Sequence, residues 1–313
     1  MVSTKIAVVG SGFVGSTTAY TLLLHGLASE LVIIDANKDK AQGDAKDLSQ
    51  GASFVKPARV YAGNIEEVSG STIVILTAGA SQKPGESRLD LAQKNIDIFR
   101  EIIPKIAAGA PDSILLVVTN PVDVLTYVTL RLSGFPPHRV IGSGTVLDTS
   151  RFKHLLSEHC GVDARNIHAV VIGEHGDSEV LVWSLANIVG VDITRYCPLC
   201  GRNCLTEARE SISHSVRTAA YDIITKKGAT YYAVALAVTR ICEAILRDEH
   251  SILTVSGLVE EIYGIENVCL SLPAVVSRLG RGNVLVLPLS EEEKQALEKS
   301  AATIRETIDR YFR

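Results

Sequence analysis

The sequence predicts an α/β chain in which a doubly wound parallel sheet is followed by a second α+β domain. Three observations carry this. Four short runs, "KIAVVG" (5–10), "ELVIID" (30–35), "TIVILTAG" (72–79) and "ILLVVTN" (114–120), are almost continuously apolar and β-branched, as strands covered on both faces would be. Longer segments of helical pattern separate them, such as residues 13–25 and 89–108, and repeated strand–helix alternation makes a parallel sheet. After Gly144 the alternation stops, so the chain divides into residues 1–143 and 144–313.

In the second part, helical signals at 148–160 precede strands near 167–172 and 179–183, then two long helical stretches, 205–226 and 229–247. Shorter strand patterns follow at "SILTVSG" and "NVLVLPL". The last helix opens on a capping box, Ser290 to Glu293, and repeats Leu297, Ala301, Ile304 and Ile308 at helical spacing. That stripe covers a core.

At 313 residues and 46% hydrophobic, the chain can bury a core of two-domain size. A formal net charge of -4, with no block of Lys or Arg, offers no field for nucleic acid. The opening "MVSTKIAVVGSGFVG" lacks the pattern of a secretion signal, and no apolar run approaches the roughly 20 residues of a membrane span. A cytoplasmic location without membrane contact is expected. Six cysteines are too sparse for a disulfide scaffold. Cys197, Cys200 and Cys204 cluster in "CPLCGRNC", where C-x-x-C could clasp one face of a zinc ion. A fourth ligand would have to come from Cys242, Cys269 or His214 through the fold, so a solvent-facing loop without metal is the favoured reading.

"VVGSGFVG" places Gly10, Gly12 and Gly15 at G-x-G-x-x-G spacing between a strand and a helix. In a Rossmann-type unit the first glycine makes the tight turn, the second admits a pyrophosphate to the backbone, and the third lets helix and strand pack closely. Free amides of the helix then face the anion. Asp35, about twenty residues on at the end of "LVIID", can accept hydrogen bonds from a ribose and repels a 2'-phosphate, which selects NAD over NADP.

Several polar residues sit where loops leave the strands. "TAGASQKPGESRLDL" (77–91) carries Gln82 and Arg88 on a loop that could fold over a bound nicotinamide and exclude water. In "TNPVD" (119–123), Asn120 is placed either to cap the next helix or to bond a ligand. "LDTSR" sets Asp148 and Arg151 on one helical face, as an internal ion pair or as a carboxylate grip. "VVIGEHGDSE" (170–179) puts His175 after an apolar run. A carbonyl that accepts a hydride also needs a proton, and an imidazolium supplies one near neutral pH. Asp148 would orient that ring and raise its pKa, leaving Arg151 free for a substrate carboxylate.

These blocks, "GSGFVG", "AGASQKPGESRLDL", "VTNPVDVLTY", "GSGTVLDTSRF", "IGEHGDSE" and "KGATYYAVA", resemble those of the NAD-dependent lactate and malate dehydrogenases, in the same order and over nearly the whole chain. The resemblance implies His175 as proton donor and acceptor, Asp148 as its partner, Arg151 as carboxylate ligand and Arg88 as the group polarising the carbonyl. Thr230 and Asn120 would line the pocket. The expected cofactor set is Gly10, Gly12, Val14, Gly15, Asp35, Lys40, Gly79, Ala80, Thr119, Asn120 and Ser143.

Family members that act on malate carry arginine where this chain has Gln82. A second buried carboxylate facing a neutral amide would lose its counter-ion, whereas pyruvate places only a methyl group there. Pyruvate and L-lactate are therefore the expected substrates. A malate enzyme is disfavoured by Gln82, and a non-catalytic NAD-binding protein by the presence of His175, Asp148, Arg88 and Arg151 together. The family is usually tetrameric, and many bacterial members respond to fructose 1,6-bisphosphate. The corresponding positions here are Lys153 and His168, where lysine attracts phosphate without an arginine's fork.

Overall fold

The computed structural model describes residues 4–80, 88–199 and 205–312, with side chains at 88–90, 197–199 and 205–207 outside the described set. The first half alternates as expected: β1 (Lys5–Val9), α1 (Phe13–Leu24), β2 (Glu30–Ile34), α2 (Lys38–Gln50), β3 (Arg59–Gly63), β4 (Ile73–Leu76), α3 (Arg88–Gly109), β5 (Ile114–Val117), α4 (Val122–Ser133) and β6 (Val140–Gly142). These six strands are parallel, in the order β3-β2-β1-β4-β5-β6.

Alternation along each strand explains the continuous apolar runs. Ala7, Val9, Val32, Val74, Leu76, Leu115 and Val117 face one core with Ile96, Phe99 and Ile103 of α3 and Leu125 and Val128 of α4. Ile6, Val8, Leu31, Ile33, Ile73, Ile75, Ile114 and Leu116 face the other, against Ala19 and Leu22 of α1. Both faces are dry, so neither phase of the two-residue repeat can be polar.

The second half continues with α5 (Val146–Cys160), five two-residue strands, β7 (Ile167–His168), β8 (Val171–Ile172), β9 (Val180–Leu181), β10 (Asn187–Ile188) and β11 (Val191–Asp192), and helices α6 (Ile193–Leu199), α7 (Leu205–Lys227) and α8 (Tyr232–Leu246). The strands expected at 167–172 and 179–183 are thus broken into short pieces. β12 (Ser251–Val259), β13 (Val268–Ser277), β14 (Gly280–Val284) and α9 (Glu291–Tyr311) complete the chain. β12, β13 and β14 do not form a sheet of their own: β12 pairs with β6 at Ser256–Gly142, extending the first sheet to nine strands. A third core, centred on Phe152, Leu156, Trp183 and Val216, belongs to the second half alone.

Neither β3 nor β13 is among the strands read from the sequence. β3 is an edge strand with a half-polar pattern, and Pro273 interrupts the apolar run of β13, which argues against a strand read locally. The carbonyl of Pro273 accepts from Leu285 N–H at 2.8 Å, while β13 pairs along its length with β12. The capping box of α9 is present, and Leu297, Ala301, Ile304 and Ile308 are all buried. The cysteine run lies partly within α6, which contains Cys197, rather than in a loop; residues 200–204 are outside the described residues. Among the described residues no group of three or more His, Cys, Asp or Glu could hold a metal ion, and no helix is long and apolar enough to cross a membrane.

Arg281 of β14 is buried against the bare backbone of Gly257 and donates to the carbonyl of Leu258 at 2.9 Å, but its Nε and Nη2 find no hydrogen-bond partner among the described residues. A guanidinium so placed loses hydration without full compensation. Replacement Arg281→Met should raise the unfolding free energy by about 1–3 kcal/mol in urea titrations; a lower midpoint would show that the charge is satisfied.

Candidate active site

The parallel strands all point their carboxyl ends to one edge, and between β1 and β4 the order of connection reverses. Loops leave the sheet there in opposite directions and open a crevice. Gly10 lies in it with φ +107°, and a Cβ at Gly10 would sit 2.4 Å from the amide nitrogen of Ala78. A Cβ on Gly15 would meet the carbonyl oxygen of Gly10, so α1 can approach β1 only because both are glycine. At Gly12 the same atom would meet nothing within 4 Å. That open floor lies at the N-cap of α1, where no side chain caps the helix amides. These are the features a dinucleotide pyrophosphate needs, and the chain fits it.

Asp35, directly after β2, accepts from Ser11 N–H at 2.5 Å and Asn37 N–H at 2.8 Å. Those two bonds aim the carboxylate along the crevice and leave further lone pairs for ribose hydroxyls. Lys40, expected at the cofactor, lies in α2 and pairs with Asp44 at 2.7 Å, and Asp44 also accepts from the hydroxyl of Ser11. Val14 lies in the first turn of α1, Gly79 and Ala80 follow β4, Thr119 and Asn120 follow β5, and Ser143 follows β6. Asn120 is exposed and precedes a cis peptide bond to Pro121. Gln82 and the side chain of Arg88 lie outside the described residues.

The second half contributes the titratable groups. Nδ1 of His175 lies 2.5 Å from Oδ2 of Asp148, in the first turn of α5, and Arg151 donates to Oδ1 of the same carboxylate at 2.8 Å. Asp148 and Arg151 thus form the internal ion pair, which commits one of the five N–H donors of Arg151. Asp148 is almost fully buried, whereas 23% of the His175 side chain is exposed, leaving the ring a route to a ligand.

His175 is fixed by its backbone as well. Its N–H donates to Oδ2 of Asp123 at 2.7 Å, and Ser256 of β12 donates to Oδ1 at 2.6 Å. Gly173, two residues earlier, exchanges main-chain bonds with Ser271 of β13, and its positive φ leaves no space for a Cβ against Ser300. The histidine loop is thus sewn to α4, β12, β13 and α9. Thr230 lies between α7 and α8, both of which pack against α5.

Burial by itself would lower the pKa of His175, but the charge and hydrogen bond of Asp148 override it, with Asp123 and Glu179 adding, and hold it near 9. The ring is an imidazolium at neutral pH. Burial pushes the Asp148 carboxyl upward, yet His175 and then Arg151 bring it below its ordinary value. Burial raises Asp123 to about 6 against the hydrogen bonds from Ser256 and His175. Glu179, buried and close to Asp148, is raised to about 8 by burial and then by the Asp148 charge.

Asp123, Ser256, Glu179 and Asn95 were not singled out from the sequence. Asp123 stands within the quoted "TNPVD", where an acid in a helix's first turn reads as a dipole partner. Its bond to His175 spans 52 positions, and no local pattern signals that.

The lactate/malate dehydrogenase NAD-binding domain family matches residues 4–142, and the lactate/malate dehydrogenase α/β C-terminal domain family matches residues 145–313. The chain is 59% identical over 304 residues to an L-lactate dehydrogenase of a Thermoanaerobacter species, covering 97% of this chain and 98% of the relative. It is 56% identical to L-lactate dehydrogenase 1 of Clostridium acetobutylicum, covering 99% of each. The crystal structure of a minor L-lactate dehydrogenase from Enterococcus mundtii superimposes with a TM-score of 0.95 at 39% identity, over 98% of both chains.

The ion pair sets a pH window. Because His175 is raised above the ordinary 6.5, its contribution to stability is complete below that pH and is lost as pH rises through about 9. Because Asp148 is depressed, its contribution is complete above 3.8 and is lost as pH falls through its lowered value. Nitrogen NMR of the His175 ring should give a midpoint near 9, and Asp148→Asn should bring it to 6.5 or below; a variant that still titrates near 9 would remove Asp148 as the cause.

Proposed function

The chain belongs to the lactate/malate dehydrogenase family of NAD-dependent oxidoreductases, and from that premise we propose that it is an L-lactate dehydrogenase interconverting pyruvate and L-lactate. NADH, when bound, supplies the hydride. The observation that carries the reading is the partly exposed imidazolium of His175 on the buried carboxylate of Asp148, with Arg151 on the same carboxylate. His175 donates its Nε2 proton to the carbonyl oxygen of pyruvate as that oxygen becomes an alkoxide, and recovers it from the hydroxyl of lactate in reverse. Asp148 holds Nδ1–H, so the tautomer left after transfer presents a free Nε2. The uncommitted edge of the Arg151 guanidinium receives the substrate carboxylate, Arg88 polarises the carbonyl, and Asn120 and Thr230 line the pocket. Gln82, being neutral, supplies no counter-ion for a second substrate carboxylate.

The glycine turn with Val14 takes the pyrophosphate, Asp35 the adenosine ribose, and Gly79, Ala80, Thr119, Asn120 and Ser143 the nicotinamide half. Lys40 retains a part at the adenosine end only if it leaves Asp44. Residues 1–143 act as the NAD-binding domain and 144–313 as the substrate domain, with β12 to β14 joining them through one sheet. Cytoplasmic location and a homotetramer complete the proposal. Fructose 1,6-bisphosphate would bind through Lys153 of α5 and His168 of β7, two elements that pack together. Burial lowers the pKa of Lys153, a cost that a neighbouring phosphate would offset, and His168 is exposed.

In an NADH oxidation assay, kcat/KM for pyruvate should exceed that for oxaloacetate, and Gln82→Arg should reverse the preference by supplying the counter-ion; faster oxaloacetate turnover by the unaltered chain would point to a malate enzyme, and turnover of neither to a non-catalytic NAD-binding protein. Rate curves against pyruvate should shift to lower KM when the bisphosphate is added, and Lys153→Ala should abolish the shift. Superimposable curves for the unaltered chain would refute the effector site.

A further inference from the structure

Asn95 is an anomaly in α3. It sits within a 22-residue helix, where asparagine is a poor helix former, and its side chain is buried, being 2% exposed. A buried amide needs partners, and this one finds them outside its own helix. Its Oδ1 accepts from Ala80 N–H at 2.8 Å, and its Nδ2 donates to the carbonyl of Asn120 at 2.7 Å. The orientation follows from the partners, since a backbone N–H can meet only the oxygen and a backbone carbonyl only the nitrogen.

The two partners stand on different loops. Ala80 follows β4 and Asn120 follows β5, and both loops open at the carboxyl edge of the sheet. They are also pressed together: a Cβ on Gly79 would lie 2.6 Å from Cγ2 of Thr119 and 3.2 Å from Oδ1 of Asn95. Thr119 also ties them, its hydroxyl donating to the carbonyl of Ala78 at 2.8 Å and its N–H to the carbonyl of Leu76 at 3.2 Å. Asn95 adds a bridge of another kind, a buried neutral amide of α3 bonded to the main chain of both loops.

We propose that Asn95 is a positioning residue for the reaction: its side-chain amide sets the spacing of the loops bearing Ala80 and Asn120. This rests on the reading that those loops line the nicotinamide and pyruvate sites. Asn95 touches neither ligand. A residue that only filled space between helix and sheet could be replaced by any side chain of its volume, whereas here the donor and the acceptor are both required.

Replacement by aspartate separates the two possibilities. Asn95→Asp keeps the acceptor for Ala80 N–H, but its ionised form turns lone pairs toward the Asn120 carbonyl, and only the protonated form restores the donor. Both partners are uncharged main-chain groups, so the carboxyl's own proton is the switch. Unaltered protein, Asn95→Ala and Asn95→Asp should be compared between pH 5.5 and 8 for kcat and KM with pyruvate, for NADH affinity by fluorescence, and for melting temperature. We expect kcat/KM of Asn95→Ala to fall at least tenfold at every pH, NADH affinity to fall at least threefold, and the Asn95→Asp to unaltered ratio to climb as pH drops. An alanine variant within twofold of the unaltered enzyme, or an aspartate ratio that stays flat, would overturn the proposal. If Asn95→Ala does not fold, the aspartate ratio decides by itself. Should the unaltered chain turn over no pyruvate, the functional reading fails separately, and the NADH affinities of the variants still decide whether the amide sets the crevice.

Discussion

The structure depends on one buried carboxylate being shared. Asp148 is stable in its charged form only because the imidazolium of His175 and the guanidinium of Arg151 each take one of its oxygens. The two cations turn their remaining donors outward, at a ring nitrogen and at the free edge of a planar fork, while Asp123 lies on the backbone side of His175. Neither cation would be oriented without the anion behind it. Removing one partner would strand the others in a poorly solvated place, which is why the three act as a unit.

The fold supplies the stage on which this unit meets a cofactor. A parallel sheet with both faces covered must turn its chain at the strand ends, and the reversal between β1 and β4 leaves a gap there that packing does not fill. Two glycines bring the backbone of α1 against that gap. From the other side, β12 pairs with β6, so the second half is a continuation of the sheet and not a body hung on a linker. Ser256 of β12 then reaches Asp123 of α4, and Asp123 holds the backbone of His175. His175 is thereby registered to the crevice between β1 and β4 through hydrogen bonds and a continuous strand ladder.

Buried polar groups mark the places where this chain departs from an apolar core, and they differ in how well they are compensated. Asp123 has two donors and is raised only to about 6, whereas Glu179 has a buried oxygen without a partner among the described residues and is raised to about 8. The first is a strut at the active site. The second lies beside Asp148, where burial and that like charge raise its pKa.

What the sequence determined by itself was whatever local spacing encodes. Unbroken apolar runs meant strands covered on both faces, the glycine triplet meant a strand-to-helix turn open to phosphate, Asp35 followed its strand, and Ser290 with Glu293 began the last helix. The resemblance then joined His175, Asp148, Arg151 and Arg88 into one chemistry. Tertiary structure alone decided the rest, because contacts between distant segments leave no periodic trace: β13 hidden by Pro273, β12 to β14 extending the first sheet, Lys40 held by Asp44, Arg151 sharing Asp148, and Asp123 beneath His175. A pattern along a chain reports which side of an element is dry, but the partner of a buried polar group is chosen by the fold that surrounds it.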